Sequence, residues 1–163
     1  MTRQGDAAFS TNRTRTLSSR VVEIPGAKER ILISEKFGEW SQNAIARLEE
    51  LIKLPVGWDG YHGQSVSFVN AYFALAMLNN ICGLETPPPQ IVPGSRGDLQ
   101  IEWHTLRGDI ELHVKGPNNV HAWCATASGD PGEEELDLTV DFAVVARWVK
   151  DITEAQIVAE AAA

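Results

Sequence analysis

The stretch that decides the fold is "DLQIEWHTLRGDIELHVK", residues 98–115. On both sides of residues 105–108, apolar and polar side chains alternate with the period of two that is typical of a half-buried β-strand. The apolar members of the two arms are Leu99, Ile101, Trp103, Ile110, Leu112 and Val114. The pattern therefore predicts a β-hairpin with one apolar face and one polar face.

The polar face of this hairpin is crowded with ionisable side chains. Keeping the apolar groups together fixes the register, because a slip by one residue would turn them to the other side. The resulting pairs are Trp103 with Ile110, Ile101 with Leu112, Glu102 with Glu111 and His104 with Asp109. Two carboxylates directly opposite each other are unfavourable when alone. We expect a partner's Arg or Lys, or His113, to relieve the Glu102–Glu111 pair, and we interpret this pair as a hint of binding.

Two further strands are predicted downstream of the hairpin. "VHAWCAT" follows the turn signal "GPNN" and forms the third strand, and "LDLTV" adds a fourth. The facing of the third strand stays open. If Ala122 and Cys124 face the core, His121 and Trp123 share the outer face with His113. If Trp123 faces inward, that arrangement is reversed.

Helices are predicted on either side of the sheet segment. Apolar side chains recur at spacings of three and four in "FGEWSQNAIARLEELIKL" (37–54), "VSFVNAYFALAMLNNICGL" (66–84) and "DFAVVARWVKDI" (141–152). Near the N-terminus, "RVVEIPGAKERILISE" (20–35) suits a short hairpin around Pro25-Gly26, or one strand and a loop. The prolines of "ETPPPQIVPG" (85–94) exclude a helix and favour an extended course.

These elements together predict an α+β fold. Its core is an antiparallel three- to four-stranded meander, with two helices from the N-terminal half and a C-terminal helix packed on one face. At 44% hydrophobic residues the chain can bury such a core. We divide the chain into a flexible basic arm (1–19), a single domain (20–152) and a weakly ordered, helix-prone tail (153–163).

Charge is unevenly distributed along the chain. The net charge is −8, but residues 1–36 carry seven Lys/Arg against four Asp/Glu, for a net +3, whereas residues 37–163 carry seven against eighteen, for a net −11. The acidic domain is expected to repel phosphate, and either to meet a basic partner or simply to stay soluble. Direct contact with nucleic acid is expected only through the N-terminal arginines, which are Arg3, Arg13, Arg15 and Arg20.

Signals for membranes, secretion and cofactors are missing from the sequence. No apolar run approaches the roughly 18–20 residues of a membrane span, and the N-terminal segment lacks the apolar core of a secretory signal. Cys82 and Cys124 lie in separate apolar segments without redox or metal-binding spacing, which favours a reduced cytoplasmic protein whose cysteines fill the core. No phosphate loop, dinucleotide fingerprint or nucleophile motif is present, so no cofactor is expected.

The connector "PVGWDGYHGQSVS" (55–67) admits two interpretations. It suits a ligand loop, with an indole platform, a carboxylate and glycines that allow close backbone approach. It also suits a corner between helices, in which Trp58 fills the gap and Asp59 binds backbone N–H groups. We favour the corner, because a proline ends one helix before it and a serine caps the next. Tyr61 and His62 are then the residues left for a partner.

Loop, helix and hairpin together resemble a widespread family of small bacterial and phage proteins. The resemblance is carried by "GWDGYHGQSVS", the apolar helix after it, "PPPQIVPGSRGDLQIEWH" and "DIELHV", and it covers roughly Leu51 to Trp148. Members of that family carry a Gly-Trp-Asp-Gly-Tyr-Gly loop, a Pro-rich link and a Leu-Glu-Trp-His hairpin, whereas here His62-Gly63 stands where they have a small residue after Tyr61. The resemblance implies an architecture and a bacterial or phage origin, and it carries over no catalytic residues.

Candidate functional residues gather on the polar sheet face, in the connector and in the acidic loop "SGDPGEEE". They are Tyr61, His62, Glu102, His104, Glu111, His113, His121, Glu133, Glu134 and Glu135. Imidazoles beside carboxylates suit zinc binding or general acid–base work, yet no metal-ligand spacing appears. We therefore expect a non-enzymatic acidic protein-binding module, of inhibitor or antitoxin type, that engages a basic surface of a protein or nucleoprotein complex. The alternatives are a small metal-dependent hydrolase or nuclease using the His/Glu face, and a nucleic-acid binder using the basic arm.

Overall fold

The computed structural model of the protein describes residues 20–23, 30–33, 38–126 and 132–162. Its α+β architecture confirms the predicted fold class. The elements in chain order are β1 (Arg20–Glu23), β2 (Arg30–Ile33), α1 (Glu39–Leu51), α2 (Phe68–Ile81), β3 (Gln90–Pro93), β4 (Leu99–Thr105), β5 (Gly108–Gly116), β6 (Asn119–Thr126), β7 (Glu133–Leu138) and α3 (Ala143–Ala161). β1 and β2 pair antiparallel, which confirms the N-terminal hairpin, whereas its Pro25-Gly26 turn lies outside the described residues.

The main sheet is an antiparallel meander in the order β3-β4-β5-β6-β7. The predicted register of β4 and β5 is confirmed: Trp103 pairs with Ile110, and Glu102 with Glu111. The sheet has five strands rather than the predicted three or four, because β3 pairs with β4 along its whole length. β3 lies at the sheet edge, where the missing N–H of Pro93 leaves no ladder bond unmade. A proline-rich segment can therefore end as a strand.

The facing of β6, left open by the sequence, is settled by burial. Val120, Ala122 and Cys124 are buried on the helix side, so His121 and Trp123 lie on the opposite side. β7 ends at Leu138, and the Val140 predicted to continue its apolar alternation is instead 76% exposed.

The three helices cover one face of the sheet. Inward side chains of β4, β5 and β6 share one hydrophobic core with the buried stripes of α1, α2 and α3. α2 begins as the sequence indicates, because the Ser67 hydroxyl accepts a hydrogen bond from the N–H of Asn70 at 3.2 Å. α2 is apolar nearly all round and packs against α1, α3 and β5, which agrees with a central position.

Buried indoles fix the proline-rich link between α2 and β3. The Nε1–H of Trp40 in α1 donates to the Gly83 carbonyl at 2.9 Å, and that of Trp103 in β4 donates to the Pro87 carbonyl at 2.8 Å. Both side chains are at most 2% exposed. A segment that cannot form its own backbone ladder is thus held by side-chain donors from its neighbours.

α3 closes the core and runs further than the predicted helix. The Asp141 carboxylate accepts a hydrogen bond from the N–H of Ala143, the first residue of the helix, and so satisfies one of the donors that the first turn leaves unpaired. Val145 and Val149 are fully buried, and the helix continues through residues 153–161 with Ile157 and Val158 exposed. No helix in the described part of the chain is long and apolar enough to cross a bilayer.

Candidate partner-binding face

The side of the main sheet that faces away from the helices is rich in acidic side chains. We call it the outer face. Six carboxylates lie on it by strand register, namely Glu102, Asp109, Glu111, Glu133, Glu135 and Asp137. Lys115 also points to this side, close enough to Asp137 to lower the pKa of that carboxyl. Alternation along each strand places these groups together, since every second residue of a strand shares one face.

An open depression of about 360 Å³ lies at the centre of the outer face. Its lining combines one indole, two imidazoles, two carboxylates and one amide: Trp123, His113, His121, Glu111, Glu135 and Gln100. Four of the predicted site residues therefore meet in one place. They converge because β5, β6 and β7 are neighbours, with Glu111 opposite Trp123, Trp123 opposite Glu135, and His113 opposite His121.

His121 bridges two carboxylates at the edge of this depression. Its Nε2 lies 2.8 Å from Oε1 of Glu135, and its Nδ1 lies 3.0 Å from Oδ1 of Asp137. The hydrogen bond to His121 lowers the pKa of Asp137, and the charge of Lys115 acts in the same direction. The His121 ring is thereby fixed between the two carboxylates.

His104 has the same arrangement at the β4–β5 turn. Its Nε2 lies 3.2 Å from Oε2 of Glu102, and its Nδ1 lies 3.0 Å from Oδ1 of Asp109. The hydrogen bond to Glu102, followed by that to Asp109, raises the pKa of His104 above its usual value. The outer face is thus a patchwork of imidazole–carboxylate pairs rather than an unbroken negative surface.

His113 connects the outer face to the turn that precedes β4. Its Nε2 lies 2.5 Å from Oδ2 of Asp98, and Oδ1 of the same carboxylate accepts the Arg96 N–H at 3.0 Å. Burial raises the pKa of Asp98, but the hydrogen bonds from His113 and Arg96 outweigh it, and the net shift is downward. The carboxylate is therefore held ionised, which fixes the His113 ring over the depression.

The facing carboxylates Glu102 and Glu111 are relieved from within the protein. His104 binds Glu102, and Nε2–H of Gln100 donates to Oε2 of Glu111 at 3.0 Å. The expectation that His113 relieves this pair is wrong, because its ring contacts Asp98 instead, whereas relief by a partner's Arg or Lys stays a prediction. Gln100 and His104 both lie in β4, two positions before and two positions after Glu102, and so share its face of the sheet.

The acidic segment Glu133–Glu135 is the start of β7 rather than part of a loop. Strand alternation separates its members: Glu133 and Glu135 are exposed on the outer face, whereas Glu134 turns toward the helices. There Oε2 of Glu134 accepts the indole N–H of Trp148 at 3.1 Å. Glu134 is therefore a core-edge residue, and its predicted place in a partner site is wrong.

The connector after α1 is a corner between two helices that is held by hydrogen bonds within the connector itself, as the favoured interpretation predicts. Oδ1 of Asp59 accepts the N–H groups of Tyr61 and Gly63, each at 2.9 Å, and these bonds lower the pKa of Asp59. Gly57 and Gly60 have φ of 79° and 84°, a region that glycine occupies without steric cost.

Trp58 does not fill the gap between the helices. Its side chain is half-buried, and its Nε1–H donates to the Gln64 carbonyl at 2.9 Å, within the corner itself. The buried indoles belong instead to Trp40, Trp103 and Trp148. The expected core role of Trp58 is therefore wrong, because its polar end is satisfied by local backbone at the surface.

Tyr61 and His62 project from this corner. Tyr61 is 83% exposed and His62 is also exposed. The corner is joined to the turn before β4, since the N–H of Gln64 donates to the Ser95 carbonyl and that of Ser67 to the Gly97 carbonyl. Tyr61 and His62 therefore lie on a segment that is hydrogen-bonded to the turn before β4, and Asp98 of that turn contacts His113. Neither exposed side chain lines the depression.

Three residues of the site were not singled out from the sequence: Gln100, Asp137 and, because its facing stayed open, Trp123. The alternation that selected Glu102 and His104 also contains Gln100, and the alternation of "LDL" contains Asp137. Gln100 carries no charge and so does not stand out among the ionisable side chains, and the loop predicted over residues 128–135 obscures which residues of β7 share a face. The alternation along β4 and β7 is the signal that identifies Gln100 and Asp137.

No group of three or more His, Cys, Asp or Glu side chains in residues 38–126 and 132–162 could hold a metal ion. Burial raises the pKa of Cys82 to about 12 and that of Cys124 to about 11, so both thiols stay protonated near neutral pH. Of the arginines proposed to contact nucleic acid, Arg3, Arg13 and Arg15 lie outside the described residues, and only the backbone of Arg20 is described.

Comparison with protein-family models, curated proteins and solved structures found no match. The resemblance to the bacterial and phage family with the Gly-Trp-Asp-Gly-Tyr loop therefore stays a prediction.

Proposed function

We propose that the protein is a non-enzymatic binding module whose outer face engages a basic surface of a partner protein or nucleoprotein complex. An inhibitor or antitoxin role in a bacterial or phage setting fits this proposal. The observation that carries it is the composition of the outer face. Six carboxylates and one described lysine lie on this face, and an indole lines the open depression at its centre.

Charge complementarity is the physical basis of the proposal. A face with an excess of one sign of charge attracts the opposite sign, speeds the encounter with it and disfavours partners of like charge. Phosphate backbones are repelled from such a face, so a nucleoprotein partner would be met through its protein. Trp123 adds apolar area at the centre, and tryptophan is one of the side chains most often found at binding hot spots.

The corner supplies a second contact in this proposal. Tyr61 is 83% exposed, although a large aromatic side chain gains by burial. His62 lies next to it and is also exposed. Replacing Tyr61 by Ala should leave the unfolding free energy unchanged within about 0.5 kcal/mol, and it should weaken partner binding if the corner takes part.

A salt-dependent pull-down with two matched triple variants tests the proposed function. The outer-face variant carries Glu111→Gln, Glu135→Gln and Asp137→Asn, and the control carries Glu39→Gln, Glu50→Gln and Glu154→Gln on the helices. Both lose three negative charges at exposed or half-exposed sites. Each is immobilised beside the unaltered protein and exposed to lysate at about 0.1 M and about 1 M salt, where the screening length falls from about 10 Å to about 3 Å.

The proposal expects a basic partner that the unaltered protein and the helix variant retain at low salt and release at high salt. The outer-face variant should lose it at both. Equal retention by the two variants, or retention that salt does not change, would contradict binding through the outer face.

A further inference from the structure

The depression on the outer face points to a more specific ligand than a generally basic surface. Resting on the proposed function, we infer that it accepts the guanidinium group of an arginine side chain presented by the partner. In this arrangement the guanidinium lies against the indole of Trp123 and between the carboxylates of Glu111 and Glu135.

Strand register places these three side chains in one row. Trp123 in β6 is the direct cross-strand partner of Glu111 in β5 and of Glu135 in β7. Side chains directly opposite each other in antiparallel strands have Cβ atoms about 4.5–5.5 Å apart. The indole is therefore flanked on both sides by a carboxylate, and all three side chains line the same depression.

Both carboxylates are held in place and keep the capacity to accept further hydrogen bonds. Gln100 binds Oε2 of Glu111, and His121 binds Oε1 of Glu135. An ionised carboxylate has about four lone-pair sites, so one such contact leaves room for a partner's donors. Side chains that are already oriented lose less conformational entropy on binding.

Arginine fits this row better than lysine does. A guanidinium is planar, stacks on aromatic faces, presents five N–H donors in a fixed fork and is less strongly hydrated than an ammonium group. Cation–π contact with tryptophan is the strongest of the aromatic cases. The volume of about 360 Å³ also holds more than the guanidinium alone, so the side-chain stem and adjoining backbone can enter with it.

Three capped heptapeptides serve as probes of this inference with the full-length protein. They alternate glycine with arginine, with lysine, or with citrulline, which keeps the shape of arginine but carries no charge. Binding is followed by NMR through the indole N–H signal of Trp123, assigned by its loss in Trp123→Leu, and by calorimetry. The arginine peptide should shift this signal and bind about fivefold more tightly than the lysine peptide, and the citrulline peptide should not bind.

Two variants separate recognition by the indole from general attraction. Trp123→Leu should weaken binding of the arginine peptide about fivefold and so bring its affinity to that of the lysine peptide. Tyr72→Leu, at an exposed aromatic on α2, should leave it unchanged. Should Trp123→Leu disturb folding, Glu111→Gln with Glu135→Gln replaces it and should give a comparable loss.

Equal binding of the arginine and lysine peptides, undiminished by Trp123→Leu, would overturn the arginine inference and leave the proposed acidic binding face intact. The inference is also overturned if none of the three peptides binds. The proposed function itself fails only if the lysate experiment shows no partner that depends on the outer face.

Discussion

His104 shows how the outer face tolerates its own charge. Each of its ring nitrogens meets a carboxylate, Glu102 on one side and Asp109 on the other, and these contacts raise its pKa. A group whose pKa is raised on folding stabilises the protein fully below its unfolded pKa of about 6.5, and the stabilisation is lost as the pH rises through the folded pKa. The imidazolium form therefore supports the β4–β5 end of the sheet.

His104→Gln should consequently lower stability at about pH 5.5 more than at about pH 9. Urea unfolding of the variant and the unaltered protein at both pH values measures the difference. His62→Gln, at an exposed site in the corner, serves as the control and should show a smaller pH-dependent change. A His104→Gln deficit that grows toward pH 9 would contradict the assigned ion pairs.

The indoles of Trp58 and Trp103 have different roles, although both donate an N–H to a backbone carbonyl. Trp103 is 2% exposed and belongs to the core, whereas Trp58 is half-buried in the corner. Trp103→Ala should cost about 3–5 kcal/mol in unfolding free energy. Trp58→Ala should cost about 1–2 kcal/mol, because it loses one hydrogen bond and partial burial. Denaturant unfolding compares them, and equal losses would restore the gap-filling role to Trp58.

At the scale of elements, the hairpin formed by β4 and β5 was predictable to the residue. Its register follows from side-chain alternation alone, since each arm carries three apolar residues in phase. The facing of β6 was not predictable in this way. One way of facing the strand buries Ala122 and Cys124 and the other buries Trp123, so apolar side chains fall on both sides. Cys124 is only 7% exposed in the core, whereas Trp123 lies on the outer face, so hydrophobicity alone does not select the phase.

The features that were not predicted from the sequence depend on tertiary contacts. β3 has prolines around it and becomes a strand only because β4 pairs with it and Arg47 of α1 donates to its Ile91 carbonyl at 2.9 Å. Glu134 lies in a run of three glutamates, whose charge masks an alternation shared with Leu136 and Leu138. Its hydrogen bond to Trp148 of α3 involves residues fourteen positions apart, which local pattern does not reveal.

Gly108 offers a test of the β4–β5 turn. Its φ is +151°, and a Cβ built there would lie 2.3 Å from the Ala125 carbonyl oxygen of β6. Gly108→Ala should therefore lower stability by about 2–4 kcal/mol, since both the backbone angle and the close approach oppose a side chain. Gly116→Ala, where no atom lies within 4 Å of the added carbon, should stay within about 0.5 kcal/mol. Thermal unfolding distinguishes the two, and equal losses would refute the turn geometry.

At the scale of the whole molecule, the sequence reveals the net charge of the domain but only partly reveals where on the surface its acidic side chains gather. The net charge of −11 over residues 37–163 was readable directly. The gathering of six carboxylates on the outer face depends on three of the four strand pairings of the meander, and it adds Asp109 and Asp137 to the residues first singled out. The helices leave that face uncovered within the described residues.

The most direct measurement is a chemical-shift map of the isotope-labelled protein titrated with the alternating arginine–glycine peptide. If the outer face is the binding surface, the largest amide and indole shifts will fall on Gln100, Glu111, His113, His121, Trp123 and Glu135. Exposed positions of α2, such as Val69 and Tyr72, will stay unchanged. Shifts concentrated on the helices, or none at all at the highest peptide concentration, would contradict the assignment of the depression on the outer face as a site for an arginine side chain.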